Sequence, residues 1–251
     1  MYHSMNGGPR IIACIPAYNE DKTISQIVSK TRECVNLVVV CDDGSSDRTY
    51  EEAMRAGALV IRHRKNLGYG AALRTLFYVA KRLDPDIVVI LDADGQHDPA
   101  DIPKLVRPIL TGEADIVVGS RLLGGTDMPA YRSVGVRLIT WPVRIVAYPR
   151  LKDAQSGFRA YSRRAIRLID VTEHGMGAST EILFKGALHG LRIKEVPVTV
   201  SYASIRHKMS PLKHGILVLL VTIKHALICL IRKALKRLQN ILYLGTKLEM
   251  F

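Results

Sequence analysis

The feature that most constrains this chain is the regular alternation, between residues 10 and 120, of short β-branched runs with amphipathic helical patterns. Arg10–Ile15, Leu37–Cys41, Ala58–Arg62, Ile87–Leu91 and Asp115–Val118 read as strands. The stretches 20–34, 47–56, 69–83 and 99–110 read as helices, the last opened by Asp98 as N-cap with Pro99 in the first turn. Strand, helix, strand at this spacing predicts an α/β fold: a mostly parallel central sheet flanked by crossover helices. Ligands of such open sheets bind beyond the carboxyl ends of the strands. The residues that follow each apolar run are therefore the candidate site.

Three of those strand ends are polar. Pro16-Ala17-Tyr18-Asn19-Glu20 follows the first strand, Asp42-Asp43-Gly44-Ser45-Ser46-Asp47 the second, and Asp92-Ala93-Asp94-Gly95-Gln96-His97-Asp98 the fourth. Any one of them could be turn or cap chemistry, and Asp47 and Asp98 read as caps. Acidic residues gathered from three separate strands at one sheet edge call for a ligand. Asp92 and Asp94, two residues apart at the end of a buried strand, suit a hard divalent cation, Mg²⁺ or Mn²⁺, that takes its remaining oxygens from a substrate phosphate and water. Neighbours on one strand end give poor control over the separation that glycoside hydrolysis needs between two carboxyl groups. Gly68-Tyr69-Gly70 lacks the third glycine of a dinucleotide fingerprint, since Leu73 stands there, and no P-loop sequence is present.

Beyond residue 120 the pattern loosens. Tyr131–Tyr148 reads as an apolar helix interrupted by Pro142, 178–189 as a helix, and Arg192–Val196 and Val198–Tyr202 as strands. Glu181 falls in the helical stretch and reads as structural; Trp141 suits a core position or a membrane-facing anchor. The last stretch is basic: of a formal charge of +13, residues 201–251 supply nine Lys/Arg against one acid, Glu249. Its apolar run, Ile216–Ile231, is 16 residues long and broken by Lys224 and His225, short of the ~20 that a membrane crossing needs. His214, His225, Arg232, Lys236 and Gln239 recur on one helical face. An in-plane amphipathic membrane helix has this composition, and a helix packed on the domain or on a second subunit is the alternative.

Hydrophobic residues make up 48% of the chain and charged ones 24%, which excludes disordered and disulfide-stapled classes. The four cysteines lie in or beside apolar runs without CxxC or zinc spacing and read as reduced, buried thiols. The first apolar run stops at Pro16, unlike a signal peptide, so a cytosolic compartment is expected. The basic charge suits an anionic partner, but aromatics are only 6% and no nucleic-acid motif occurs, so a nucleic-acid module is disfavoured.

Five ordered motifs carry a resemblance: Ile15 to Glu20, Asp42 to Thr49, Asn66 to Gly70, Leu91 to His97 and Gly119-Ser120-Arg121. In order and spacing they resemble the family 2 glycosyltransferases of GT-A (nucleotide-diphospho-sugar transferase) fold. Gln155-Ser156-Gly157-Phe158-Arg159 and Glu195-Val196-Pro197-Val198 look like the dolichyl-phosphate mannose synthase branch, with its polyprenyl-phosphate glucose and N-acetylglucosamine relatives. The resemblance implies a catalytic domain over 1–210 and a membrane-associating basic tail over 211–251. It implies that Pro16, Ala17, Tyr18 and Glu20 with Asp42 or Asp43 hold the base and ribose of a nucleotide-sugar donor. Asp92, Asp94 and Gln96 match the metal motif, with Asp92 also near the ribose. Arg121 and Arg132, with Ser133, would bind the acceptor phosphate, and Arg206 and Lys208 would close over the donor diphosphate. His97 reads as a polar neighbour of the metal site rather than a ligand.

The implied activity is transfer of one hexose from GDP-mannose, UDP-glucose or UDP-N-acetylglucosamine to polyprenyl (dolichyl) phosphate, metal-dependent and inverting, by a peripheral or monotopic enzyme on the cytoplasmic face of the membrane. Elementary chemistry agrees. A metal and cationic side chains stabilise a leaving diphosphate, arginine suits phosphate, and a phosphate monoester with a second pKa near ~6 needs no general base. The alternative acceptor is a soluble sugar or protein.

Overall fold

A computed structural model describes residues 8–123, 128–201 and 211–248. One sheet of seven strands holds β1 (Ile11–Ala17), β2 (Leu37–Asp42), β3 (Leu59–Arg62), β4 (Ile87–Ile90), β5 (Ile116–Ser120), β6 (Arg159–Ser162) and β7 (Ile193–Pro197), in the spatial order β3-β2-β1-β4-β6-β5-β7. The first four are mutually parallel. β6 runs against both β4 and β5, and β7 is parallel to β5. The five strands expected before residue 120 are all present, with ends shifted by one or two residues at most.

The central strands are apolar throughout because helices cover both faces. Ala13, Ile15, Val38 and Val40 join one core with α1 (Ile24–Arg32), α2 (Thr49–Arg55) and α4 (Ile102–Leu110). The alternate residues Ile12, Cys14, Val39 and Cys41 join the other with α3 (Tyr69–Leu83) and, further along the sheet, α6 (Arg163–Leu168) and α7 (Ala178–Leu188). Two-residue alternation thus sorts one strand between two cores. Asp98 caps the turn before α4 by accepting from Ala100 N at 3.1 Å.

Three expectations are corrected. β6 and α6 were not foreseen, and β6 is the one reversed strand inside the sheet. Of the strand expected over Val198–Tyr202, the described residues 198–201 form only a single bridge, Val200 to His97, and β7 stops at Pro197. Val198 instead packs on Gly119, where a Cβ would lie 2.7 Å from its Cγ1; Tyr202 is outside the described residues. Finally, α5 (Ala130–Val146) runs through Pro142 rather than breaking at it.

α8 (Pro211–Leu248) lies against α5 and α7. Val218, Thr222, His225 and Cys229 face inward. Thr222 Oγ1 is 3.0 Å from Thr180 Oγ1, and Lys233 Nζ donates to Val146 O at 2.6 Å. The approach to α7 is close, since a Cβ on Gly177 would meet Val221 Cγ1 at 2.3 Å. The helix is therefore amphipathic in the reverse sense for a packed helix: its small and polar side is buried, and Leu217, Leu220, Leu227, Leu230, Ile231, Leu235 and Leu238 are exposed. α5 continues this surface with Val134, Leu138, Trp141 and Ile145. Trp141, 63% exposed, is not a core residue.

Candidate active site

The loops after β1 and β2 clasp one another. Asn19, in the left-handed region at φ 54°, donates its N–H to Ser45 Oγ at 2.9 Å, and its Oδ1 accepts from Ser46 N at 2.9 Å. Pro16 and Ala17 are buried at the sheet edge, while Tyr18 and Glu20 reach the surface beside it. Asp42 and Asp43 are both buried and both engaged. Asp42 accepts from Ser45 N at 3.0 Å and pairs with Arg62 Nε at 3.0 Å. Asp43 accepts from His63 Nδ1 at 2.7 Å, Leu67 N at 3.0 Å and Gly68 N at 2.8 Å. Asp43 thus fixes the 63–68 turn that starts α3. The glycines there serve backbone approach: a Cβ on Gly70 would lie 2.1 Å from Glu173 O, and Gly70 N donates to His174 O at 2.8 Å.

Beyond β4, Asp92 and Asp94 point at the same edge. Asp92 accepts a hydrogen bond from half-buried Tyr69. Its carboxylate lies flat against Gly157, where a Cβ would stand 2.2 Å from Oδ2. Loss of hydration, then the nearby negative charge of Asp94, push Asp92 up to about 7, against the pull of Arg121, the Tyr69 bond and Arg159. Asp94 accepts from Gln96 N at 3.0 Å and Gln96 Nε2 at 2.5 Å. The amide oxygen of Gln96 accepts no hydrogen bond among the described residues.

These residues fit a hard divalent cation. A buried carboxyl raised by a neighbouring carboxylate, as Asp92 is by Asp94, gains from a positive charge beside it, and Gln96 offers a further oxygen. No cluster of three or more His, Cys, Asp or Glu able to hold a metal occurs among the described residues. The protein's share of a coordination shell is therefore small, as it is where substrate phosphate completes the shell.

Positive charge comes from three arginines. Arg121 forms a two-pronged ion pair with fully buried Asp153, Nε to Oδ2 at 2.7 Å and Nη2 to Oδ1 at 2.8 Å. Despite burial, this partner and further N–H donors hold the Asp153 carboxyl below its ordinary value. Glu195 braces the turn from behind, accepting from Lys152 N and Asp153 N, each at 2.8 Å. Arg159 opens the reversed strand β6 and is 2% exposed, donating to the carbonyls of Ser156, Ala154 and Ser179 at 2.7–2.8 Å. Arg132 sits in the first turn of α5, with Nε 3.3 Å from Tyr131 Oη. Arg206 and Lys208 lie outside the described residues.

His97 is buried against Phe158, and the cost of charging it there, with Arg121 nearby, lowers its pKa to about 4. Glu181 is structural, accepting from Thr172 N at 3.0 Å and Glu173 N at 2.9 Å and pairing with Lys185 at 2.7 Å. The sequence reading missed Tyr69, Asp153 and Arg159 as site residues, although each lies within or beside a motif it quoted. The four cysteines are unpaired, and burial pushes Cys14 and Cys41 up to about 12.

A model of glycosyl transferase family 2 matches residues 12–169. The chain belongs to glycosyltransferase family 2. This family 2 member is 32% identical over 215 residues to UDP-N-acetylglucosamine–dolichyl-phosphate N-acetylglucosaminyltransferase of Methanococcus voltae, covering 76% of this chain and 86% of that one. It is 32% identical over 203 residues to dolichyl-phosphate hexose transferase of Haloferax volcanii, covering 79% and 86%. Among solved structures, glucosyl-3-phosphoglycerate synthase from Mycobacterium tuberculosis with Mn²⁺, UDP-glucose and phosphoglyceric acid superposes with a TM-score of 0.69 at 26% identity, covering 87% of this chain and 80% of that one. The fold is GT-A.

Proposed function

We propose that this transferase moves one hexose from a nucleotide-diphosphate sugar, GDP-mannose, UDP-glucose or UDP-N-acetylglucosamine, to a polyprenyl phosphate such as dolichyl phosphate at the cytoplasmic face of a membrane. The observation that carries the reading is a junction. Arg132 stands in the first turn of α5, and α5 and α8 turn apolar side chains outward. Phosphate-suited charge then meets a lipid-compatible surface within one element. An exposed apolar stripe of this extent marks a membrane or partner surface. Gly215–Lys236 is long and apolar enough to cross a membrane, but its contacts with the catalytic domain favour a helix lying in the interface plane.

In this reading residues 1–210 form the catalytic domain and 211–251 the attaching tail. The donor base and ribose lie over Pro16, Ala17, Tyr18 and Glu20, on loops that Asp42 and Asp43 hold in shape. Asp92, Asp94 and Gln96 would hold Mg²⁺ or Mn²⁺, which when bound neutralises charge on the departing diphosphate. Mn²⁺ beside UDP-glucose in the solved relative supports this assignment. Tyr69 keeps that carboxylate oriented through its hydrogen bond, and the charge of buried Arg159 favours its ionised form. Arg121, set by Asp153, and Arg132 receive the acceptor phosphate, which is already dianionic at neutral pH and attacks without a protein base. Direct attack by that phosphate inverts the anomeric centre.

The test is transfer of labelled sugar from a panel of UDP- and GDP-sugars to polyprenyl phosphate in detergent with Mn²⁺ or Mg²⁺, beside Asp94→Ala and an EDTA control. Metal-dependent label in the lipid phase, lost in Asp94→Ala, is expected. The phosphoglyceric acid in the solved relative favours a second reading, a small water-soluble acceptor; label confined to the aqueous phase would establish it and overturn the first.

A further inference from the structure

A cavity of about 610 Å³ opens between α7, α8 and the turn over residues 168–173. Phe184, Leu188 and Ile228 line its apolar part, and its rim is charged. The acids on that rim are already satisfied. Asp170 pairs with Lys81 at 2.5 Å, and Glu173 with Lys224 Nζ and His225 Nε2, each at 2.7 Å. Lys185 is taken up by Glu181 at 2.7 Å. Arg232 and Lys236, one helical turn apart on the rim, pair with no carboxylate among the described residues, and neither does His189. The cavity therefore carries two surplus fixed positive charges beside an apolar floor.

Its position supplies the second argument. At 100° per residue, His225, Ile228, Arg232 and Lys236 form one stripe of α8, bordering the exposed arc of Leu220, Leu227, Ile231 and Leu235. A helix that lies in the membrane interface by that apolar arc holds the neighbouring stripe at headgroup depth. We infer that this cavity is a second, non-catalytic anion site, which takes the phosphate of an anionic lipid headgroup and so fixes how α8 sits on the bilayer. The inference rests on the membrane reading above. The same two cations could take free phosphate, and the test separates the two sources.

The experiment is flotation of the full chain with phosphatidylcholine vesicles, with and without phosphatidylglycerol. It compares wild type, Arg232→Ala/Lys236→Ala, and Arg137→Gln/Arg144→Gln on α5, which removes equal charge outside the cavity. Wild type should bind both vesicle types, the anionic one more tightly. The cavity pair should weaken anionic binding roughly thirtyfold, from about two cations at an anionic surface, and leave neutral binding unchanged. The α5 pair should weaken it less than fivefold. Equal losses in the two pairs would mean diffuse attraction and overturn the site. If wild type binds neither vesicle type, the membrane reading itself falls. Calorimetry with inorganic phosphate then decides the cavity: heat lost in Arg232→Ala/Lys236→Ala upholds an anion site for free phosphate, and no heat overturns it.

Discussion

Gly157→Ala isolates the placement of one carboxylate. The added Cβ would stand 2.2 Å from Oδ2 of Asp92 and 2.8 Å from its Cγ and Oδ1. Carbon and oxygen settle near ~3.3 Å, so the carboxylate must retreat by roughly 1 Å. Gly157 does not have a positive φ, so alanine suits the backbone and the clash alone is tested. A misplacement of about 1 Å costs on the order of 100-fold in turnover, about 2.7 kcal/mol of barrier. Overpacking costs the fold about 1–3 kcal/mol, here toward the lower end because Asp92 can swing into the open edge. That corresponds to a fall in Tm of roughly 2–4 °C per kcal/mol. The assay is kcat/KM for label entering the lipid phase, with thermal unfolding in parallel and Asp92→Asn as the reference for a lost ligand. A folded Gly157→Ala protein turning over within threefold of wild type would refute the placement of Asp92 as a determinant of rate.

Other outcomes follow from the same contacts. Arg121→Ala leaves Asp153 buried and without its cation, and should cost about 3 kcal/mol, a Tm fall of roughly 6–12 °C in calorimetry; an unchanged Tm would make the pair ornamental. Asp153, Glu181 and Glu173 hold their protons less tightly folded than unfolded. Each therefore adds stability above the ordinary carboxylate range near pH ~4 and gives it up as pH falls through its folded value; urea midpoints should drop steeply below that range, and the drop should be smaller in Glu173→Gln than in wild type. Because Asp92 titrates at about 7, protons compete with a cation there. Mn²⁺ affinity read by electron paramagnetic resonance should rise from pH 6 to pH 8 in wild type and vary far less in Asp92→Asn.

The first half of the sheet was legible because each of its strands is buried on both faces and followed by a helix of clear period. β6 was not: four residues beginning with a charged arginine carry no strand signature, and Arg159 is acceptable there only because three carbonyls receive it. Asp92 and Asp94 could be singled out by spacing alone. The different employment of Asp42 and Asp43 could not, since both tie up partners up to 25 residues away in the chain. Gly68 and Gly70, which make only a partial dinucleotide fingerprint in the sequence, admit the carbonyls of His174 and Glu173. The orientation of α8 escaped for a related reason. Periodicity locates a polar stripe but not which stripe turns inward, and here Thr180 and Gly177 on α7 accept the polar one.

The turn at residues 172–175 touches three helices at once. Its carbonyls receive the start of α3, its N–H groups are held by Glu181 of α7, and its Glu173 carboxylate grips Lys224 and His225 of α8. α8 is thus a keystone of the fold, apart from the attachment proposed for it. Cutting the chain before residue 211 would strip Glu173 of Lys224 and His225 and uncover Gly177 and Thr180, loosening the turn on which Tyr69, and through it Asp92, depends. A truncated protein that loses activity would therefore say little about lipid, whereas exchanging Leu227 and Ile231 for polar residues changes the outer surface and leaves this joint whole.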